Sequence, residues 1–406
     1  MNFLRKAWCR ICQKTLYVAM AFMPWREPQI LSGDGSFAKL ADFLAEKGVI
    51  RPLVVCSKTA VARHSLDVFF EGANGKLELT VYDGVLPNPT VKQVEEGRQL
   101  YIDNKCDGIV AFGGGSPMDC AKAIGARVVR PKKSVNRMKG QLKVGKKLPP
   151  FVAVPTTAGT GSECTVCAVI TDADAHDKYA INDFCLVPHY AVLDPTLTVG
   201  LPPFLTATTG MDALTHAVEA YIGKSNTRAT RRHAEEAVKL IYGNLAEATA
   251  NGTNLVARQN MQHAAYLAGL AFTRAYVGYV HALAHAMGGT YGTAHGLANA
   301  VLLPRVLESY GKSAYKPLAK LARITGVANG DDGDEAAAKA FVESIDSLNA
   351  ELGLPNKLTD LKEEDIPALA AHADKEANPL YPVPLEMGAD ALADVLKSAL
   401  VSAEEN

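Results

Sequence analysis

No stretch of this 406-residue chain approaches the roughly 18 consecutive apolar residues that a membrane-crossing helix requires, so nothing in it reads as a spanning segment. A charge excess is missing as well. The 42 basic residues face 43 acidic ones, which leaves nothing global to attract nucleic acid or a membrane, and neither is expected as a partner. Nor do the cysteines form a framework. All eight (9, 12, 56, 106, 120, 164, 167 and 185) lie in the first half, mostly inside apolar runs such as Val54-Val55-Cys56. In a chain this long they read as reduced, buried thiols of a cytoplasmic protein. The pairs Cys9/Cys12 and Cys164/Cys167 stand too far apart to read as one four-sulfur zinc site.

What is there suits a large globular protein: 48% apolar and 21% charged residues, enough for two or three domains. At the N-terminus Arg5, Lys6 and Arg10 precede the short apolar run from Leu16 to Met23. Pro24-Trp25-Arg26 follows, where a secretory signal would need small residues. Residues 1–28 are therefore expected to be an extension, amphipathic and packed on the domain or on a partner subunit.

The first half alternates β-rich runs with helical stretches. Pro52–Cys56, Leu77–Tyr82, Gly108–Phe112 and Phe151–Val154 read as strands, with helices around Phe37–Leu44 and Thr90–Asn104. That alternation predicts an α/β domain over 29–200, its parallel sheet covered on both faces. After Gly200-Leu201-Pro202-Pro203 the texture turns to successive Ala- and Leu-rich helical patterns, near 204–222, 227–249, 255–272, 279–288, 296–310, 334–352 and 388–403. An all-helical domain over 201–406 is expected, with a cleft between the two domains as the place for a cofactor. Residues 127–147 hold nine Lys or Arg but no aromatic residue on which a base could stack, and read as a solvated loop.

Two turns follow strands in the first domain. Gly113-Gly114-Gly115-Ser116-Pro117-Met118-Asp119 opens a helix, where free N–H groups and the dipole favour a pyrophosphate. It is not the common G-x-G-x-x-G turn, and alone it is weak. Pro155-Thr156-Thr157-Ala158-Gly159-Thr160-Gly161-Ser162-Glu163 is a second such turn, and the pair suits a dinucleotide.

In the helical half, Asp212 and His216 are four apart, on one helix face. His281, His285 and His295, three of only ten histidines, fall within 15 residues of apolar and small neighbours. A buried polar cluster is costly unless something binds it. One carboxylate and up to four imidazoles could hold a divalent transition metal with an open position for substrate.

With those motifs, with Tyr82–Thr90 and with the segments Gly210–Tyr221 and His281–Asn299, the chain resembles the iron-dependent (group III) alcohol dehydrogenases over roughly residues 29–400. The resemblance implies a dinucleotide-binding α/β domain, a C-terminal helical metal-binding domain, and hydride transfer between NAD(P)(H) and a primary alcohol or aldehyde. It implies metal ligands at Asp212, His216, His281 and His295, with Fe2+ as the metal, although Zn2+ or another divalent ion would suit the same donors. It puts the family's non-ligand histidine at His285, as the candidate catalytic proton relay, with a ligand-orienting role as the alternative. Cofactor contacts would fall on Asn88, Gly114, Gly115, Ser116, Asp119, Thr156, Thr157, Thr160 and Lys178. Two positions depart from the family. Ser57 stands where an acidic residue usually meets the adenosine ribose, and Cys167 stands where many members carry Asn. With Lys58 beside it, Ser57 points toward NADP at least as much as NAD. The resemblance also implies a homodimer or larger homo-oligomer. Two rivals remain: a glycerol-dehydrogenase-like zinc polyol dehydrogenase, against which the complete Asp-His-His-His set speaks, and a non-catalytic metal-binding assembly protein.

Overall fold

In the computed structural model, residues 1–175 and 177–401 are described; the last residues of the helix expected near 388–403 lie outside them. The chain divides into two units, residues 24–200 and residues 1–23 with 201–406.

The strands of the first unit are β1 (Gln29–Ser32), β2 (Pro52–Val55), β3 (Thr80–Tyr82), β4 (Gly108–Gly113), β5 (Gly140–Gln141), β6 (Phe151–Pro155), β7 (Cys167–Asp172), β8 (Asp177–Asn182) and β9 (Tyr190–Leu193). Six of them form a sheet in the order β1-β9-β6-β4-β2-β3, with every pairing parallel. β2, β4 and β6 are buried at every position, as a sheet covered on both faces requires. Alternate residues serve two cores. Leu53, Val55, Ile109, Ala111, Phe151 and Ala153 face helices Val91–Asp103 and Gly115–Val129. Val54, Val110, Phe112, Val152 and Val154 face helices Leu40–Glu46 and Asp67–Ala73.

Two details differ from the sequence reading. The strand expected over Leu77–Tyr82 is shortened to β3, because Leu77 N–H still closes the preceding helical turn on Ala73. The antiparallel pair β7–β8, with β5 at its edge, forms a second, three-stranded sheet that the sequence reading missed. The basic run 127–147 is tied down by its own cations. Arg127 pairs with Glu95, Arg130 donates to Val144 O and Gly145 O, and Lys133 donates to Lys143 O.

The second unit is helical. Its main elements are Pro203–Ile222, Arg228–Ala250, Leu255–Ala275, Tyr279–Tyr291, His295–Tyr310, Asp334–Glu351 and Ala389–Ala399, with Tyr315–Ile324 and Ile366–Ala377 as unexpected additions. Thr227 with Thr230 and Asn254 cap two of them. Two glycines set the spacing: a Cβ at Gly210 would stand 2.2 Å from Leu245 Cδ1, and one at Gly296 would stand 2.2 Å from Thr208 O. Gly296 thus lets the helix that starts at His295 lie against the helix that carries Asp212. The N-terminal helix Phe3–Ala21, capped by Asn2, belongs to this unit.

Candidate functional site

Three helices of the second unit bring the expected donor residues together. Asp212 and His216 lie one turn apart on Pro203–Ile222, His281 sits in the first turn of Tyr279–Tyr291, and His295 opens the next helix. Asp212 Oδ1 is 3.8 Å from His216 Nδ1, 3.7 Å from His281 Nε2 and 3.4 Å from His295 Nε2. These separations are too long for good hydrogen bonds and fit donors arranged around a shared cation. Among the described residues, Asp212, His216 and His281 are the one such group with donor atoms all within 4.8 Å of one another. His295 stands on the open side, its side chain 39% exposed.

The electrostatics agree. Burial drives the His216 imidazole down to about 3, leaving it neutral with a lone pair to offer. Burial alone would raise Asp212, but the surrounding imidazoles hold it well below the usual carboxylate range. His281 is also desolvated, yet Asp212 and Glu219 outweigh that and lift it to about 9. The carboxylates therefore draw positive charge into the cluster, as a proton or as a metal ion that displaces it. His216 Nδ1 and His281 Nε2 are buried with no hydrogen-bond partner. Each such orphan costs about 1–3 kcal/mol unless something binds it. Two imidazole nitrogens and a carboxylate suit a borderline divalent transition metal.

Three supporting residues escaped the sequence reading. The buried Glu219 accepts from His281 Nδ1 at 2.6 Å and from the backbone N–H groups of Gly278 and Val280, each at 2.8 Å. One carboxylate thus caps the helix and fixes which ring nitrogen of His281 faces Asp212. Asn299 donates to Asp212 Oδ1 at 2.7 Å and lies 3.2 Å from His295 Nε2. Phe272 stacks on His216 with ring centroids 4.0 Å apart. Spacing was the available signal: Glu219 is seven residues beyond Asp212 and Asn299 four beyond His295, each on the same face as its partner.

His285, four residues after His281, stays out of the buried group. Its side chain is 39% exposed and stacks on the His295 ring at 5.2 Å. Its Nδ1 is 2.7 Å from Glu376 Oε1, which also accepts from Tyr381 OH at 2.9 Å.

The first unit holds the other expected contacts, those of the two turns at the C-terminal ends of β4 and β6 first. The helix Gly115–Val129 has no side-chain cap at Gly114, so its first N–H groups stay available to an anion. Gly113 has φ +141°, and a Cβ there would stand 2.7 Å from Pro117. A Cβ on Gly114 would stand 3.3 Å from Thr157 Oγ1, and one on Gly115 would stand 3.1 Å from Thr160 Cγ2, so the two turns lie against each other. Thr156 N–H donates to Gly113 O. Behind them, the fully buried Lys122 ammonium donates to Ser162 Oγ, Thr165 O, Thr165 Oγ1 and Cys167 O at 2.8–3.0 Å. Asp119 accepts from Ser162 Oγ and Val169 N, and desolvation lifts its carboxyl above the ordinary value. Asp119 is thus occupied in holding the turns together. Ser116 lies in the first turn of the same helix. Asn88, at φ +57°, accepts from Lys178 Nζ at 2.8 Å, which joins two more expected residues. Ser57 caps the short helix Lys58–Ala62, its Oγ accepting from Ala60 N, and Lys58 is exposed on the first turn. All eight cysteines are free thiols.

Comparison with known proteins bears on most of the chain. The family model of the iron-containing alcohol dehydrogenase matches residues 27–195, and that of the C-terminal part of the Fe-containing alcohol dehydrogenase family matches residues 206–400. The chain is 43% identical over 309 residues to 1,3-propanediol dehydrogenase of Klebsiella pneumoniae, covering 74% of this chain and 78% of that one. It is 36% identical over 352 residues to the NAD-dependent methanol dehydrogenase of Bacillus methanolicus, covering 85% and 91%. The crystal structure of a 1,3-propanediol oxidoreductase superposes with a TM-score of 0.90 at 36% identity, over 93% of this chain and all of that one.

Proposed function

Because this chain belongs to the iron-containing alcohol dehydrogenase family and is a metal-dependent oxidoreductase of alcohols and aldehydes, we propose that Asp212, His216, His281 and His295 hold its divalent metal. The observation that carries this assignment is the pair of buried, partnerless nitrogens, His216 Nδ1 and His281 Nε2, beside the ionised Asp212. Ferrous iron is the expected ion by family, and the same donors also suit zinc. When bound, the metal supplies Lewis acidity toward an alcohol or carbonyl oxygen, and the nicotinamide supplies or accepts the hydride.

The chain's own residues do the rest. Asp212 contributes the negative charge that draws the cation. Glu219 keeps the His281 Nδ1–H engaged, so that Nε2 is the free donor. His285 takes the alcohol proton during oxidation and returns it during reduction, with Glu376 accepting from Nδ1 and stabilising the imidazolium. The N–H groups at Gly115 and Ser116 receive the cofactor pyrophosphate. Gly114, Thr156, Thr157 and Thr160 line the cofactor beyond the pyrophosphate, and Asn88 with Lys178 contacts it as well. Ser57 and Lys58 meet the adenosine ribose. With no carboxylate at Ser57 to repel a 2′-phosphate, NADP(H) serves at least as well as NAD(H). A short primary alcohol or diol is the substrate class, by analogy with the relatives' names. A homo-oligomer is expected by family, and a cytoplasmic location accords with the free cysteines.

The test follows nicotinamide absorbance with a panel of alcohols and aldehydes, with and without ferrous ion, alongside metal analysis of His281→Ala and His295→Ala after anaerobic purification. Both variants should lose metal and turnover together. Stoichiometric metal in either variant overturns the ligand set.

A further inference from the structure

The coil at 378–388, between the helices Ile366–Ala377 and Ala389–Ala399, has no regular structure, yet Asn378, Pro382, Val383, Pro384, Glu386 and Met387 in it are buried. Backbone polar groups out of reach of water must find partners inside the protein. The N-terminal helix Phe3–Ala21 supplies several of them. Gln13 donates to Tyr381 O at 2.8 Å, and Arg10 donates to Val383 O at 2.8 Å and to Pro384 O at 2.9 Å. Arg10 also pairs with Glu386 and donates to Gln13 Oε1 at 2.8 Å, so the two side chains act as one group. Just before the coil, Arg5 makes a two-pronged pair with Asp374 at 2.8 and 2.9 Å. Asp374 Oδ1 in turn accepts from Asn378 Nδ2 at 2.7 Å.

One residue of the coil reaches the partner of His285. The Tyr381 hydroxyl donates to Glu376 Oε1 at 2.9 Å, the same oxygen that lies 2.7 Å from His285 Nδ1. Glu376 does not secure that orientation alone. Its side chain is 25% exposed and that of His285 39%, so water competes for the bond. A second imidazole competes too. His372, one turn earlier on the same helix, has its Nε2 3.9 Å from Glu376 Oε2. Two donors converging on Oε1 leave the carboxylate one orientation in which both are served. Tyr381 is fixed for that task at both backbone polar atoms. Its N–H donates to Ala377 O at 2.7 Å, and its carbonyl accepts from Val383 N at 2.9 Å as well as from Gln13. With the backbone pinned, a stiff aromatic side chain has little freedom left to lose.

Given the proton-relay reading of His285, on which this rests, we infer that Tyr381 is a positioning residue for His285, kept in place by the N-terminal helix through Gln13 and Arg10. Tyr381 holds Glu376 toward the imidazole, Glu376 holds the ring by Nδ1, and Nε2 is left for the alcohol proton. The extension ahead of the first strand is thus a splint for the coil that makes this contact.

The experiment is steady-state alcohol oxidation by the full-length, metal-loaded enzyme. Tyr381→Phe keeps the ring and removes only the hydroxyl. It should lower kcat about tenfold, on the scale of one hydrogen bond to a charged group, with metal content and the KM for nicotinamide nucleotide unchanged. Gln13→Glu still accepts from Arg10 but cannot donate to Tyr381. It should lower kcat about threefold and speed hydrogen exchange across 378–388. In a His285→Ala background, Tyr381→Phe should cause no further loss, because residues that act through one another do not add. An equal loss in both backgrounds makes Tyr381 a general support of the fold and overturns the inference, as does an unchanged kcat in Tyr381→Phe. Wild-type kcat or wild-type exchange in Gln13→Glu overturns the part given to the N-terminal helix. Wild-type turnover in His285→Ala removes the relay and this role together, whereas an impaired His285→Ala beside an unaffected Tyr381→Phe removes this role alone.

Discussion

Replacing Glu219 disturbs three hydrogen bonds at once, and its cost can be worked from the geometry. The wild-type carboxylate accepts from Gly278 N, Val280 N and His281 Nδ1 at 2.6–2.8 Å, in a site where Glu219 is 3% exposed. Glu219→Ala leaves three buried donors unpaired, each costing about 1–3 kcal/mol. Water entering the vacated space recovers part of that sum, so a loss of about 3–5 kcal/mol is expected, within the range of severe single substitutions. Glu219→Gln is gentler. Its amide oxygen still accepts, but its NH2 opposes one of the donors, for about 1–3 kcal/mol. Either change frees the His281 ring to turn or to exchange its proton between nitrogens, and loss of such an orienting partner weakens metal binding by about 10–100-fold. Urea unfolding followed by far-UV circular dichroism reads the first effect; competition against a chromophoric chelator under anaerobic conditions reads the second. Wild-type metal affinity in Glu219→Gln together with an unchanged midpoint in Glu219→Ala would refute the reasoning.

Three further predictions are independent of this one. Ser57→Asp should shift the kcat/KM ratio toward NAD(H) by at least about tenfold, equivalent to about 1.4 kcal/mol; a wild type that prefers NAD(H) by the same margin, unchanged by the substitution, removes Ser57 from cofactor choice. His189 accepts from Phe151 N at 3.2 Å, and burial pushes its imidazole down to about 4. The unfolded chain, with His near 6.5, takes up the proton first, so about 2–3 kcal/mol present above that pH is lost as pH falls toward 4. His189→Asn should flatten this part of the urea-midpoint profile between neutrality and about pH 5, and an unaltered slope refutes the assignment. Light scattering at micromolar concentration should give at least a dimeric mass; a monomer rules out the homo-oligomer.

The elements legible in the sequence were those with a strong period or strong chemistry. β2, β4 and β6 are continuous apolar runs, and the histidines stand out against small apolar neighbours. What stayed hidden depended on partners distant in sequence. β7 and β8 bury alternate residues, Ala168 and Ile170 with Tyr179 and Ile181, but the partly exposed positions of β7 are themselves apolar (Cys167, Val169), which blurs the alternation in the sequence, and the two strands exist through their pairing with each other. Glu219 and Asn299 share a helix face with Asp212 and His295, but spacing does not say what they touch; tertiary packing puts them beside His281 and Asp212. Glu376, 91 residues beyond His285, carries no local signal at all.

Lys122 has a consequence for the thermodynamics of cofactor capture. The stretch from Thr156 to Val166 has little regular structure beyond one short turn at Ser162–Cys164, and a segment of that kind would ordinarily keep much of its backbone freedom. The buried ammonium gathers three of its oxygens, with Cys167 O just beyond, onto the helix that begins at the glycine turn. The loss of freedom is thereby charged to folding and not to ligand capture. Calorimetry of nicotinamide nucleotide binding should then reveal only a small ordering entropy. Lys122→Met should bind through a slower, temperature-sensitive step, with a more negative entropy and heat-capacity change, as the stretch organises around each arriving molecule.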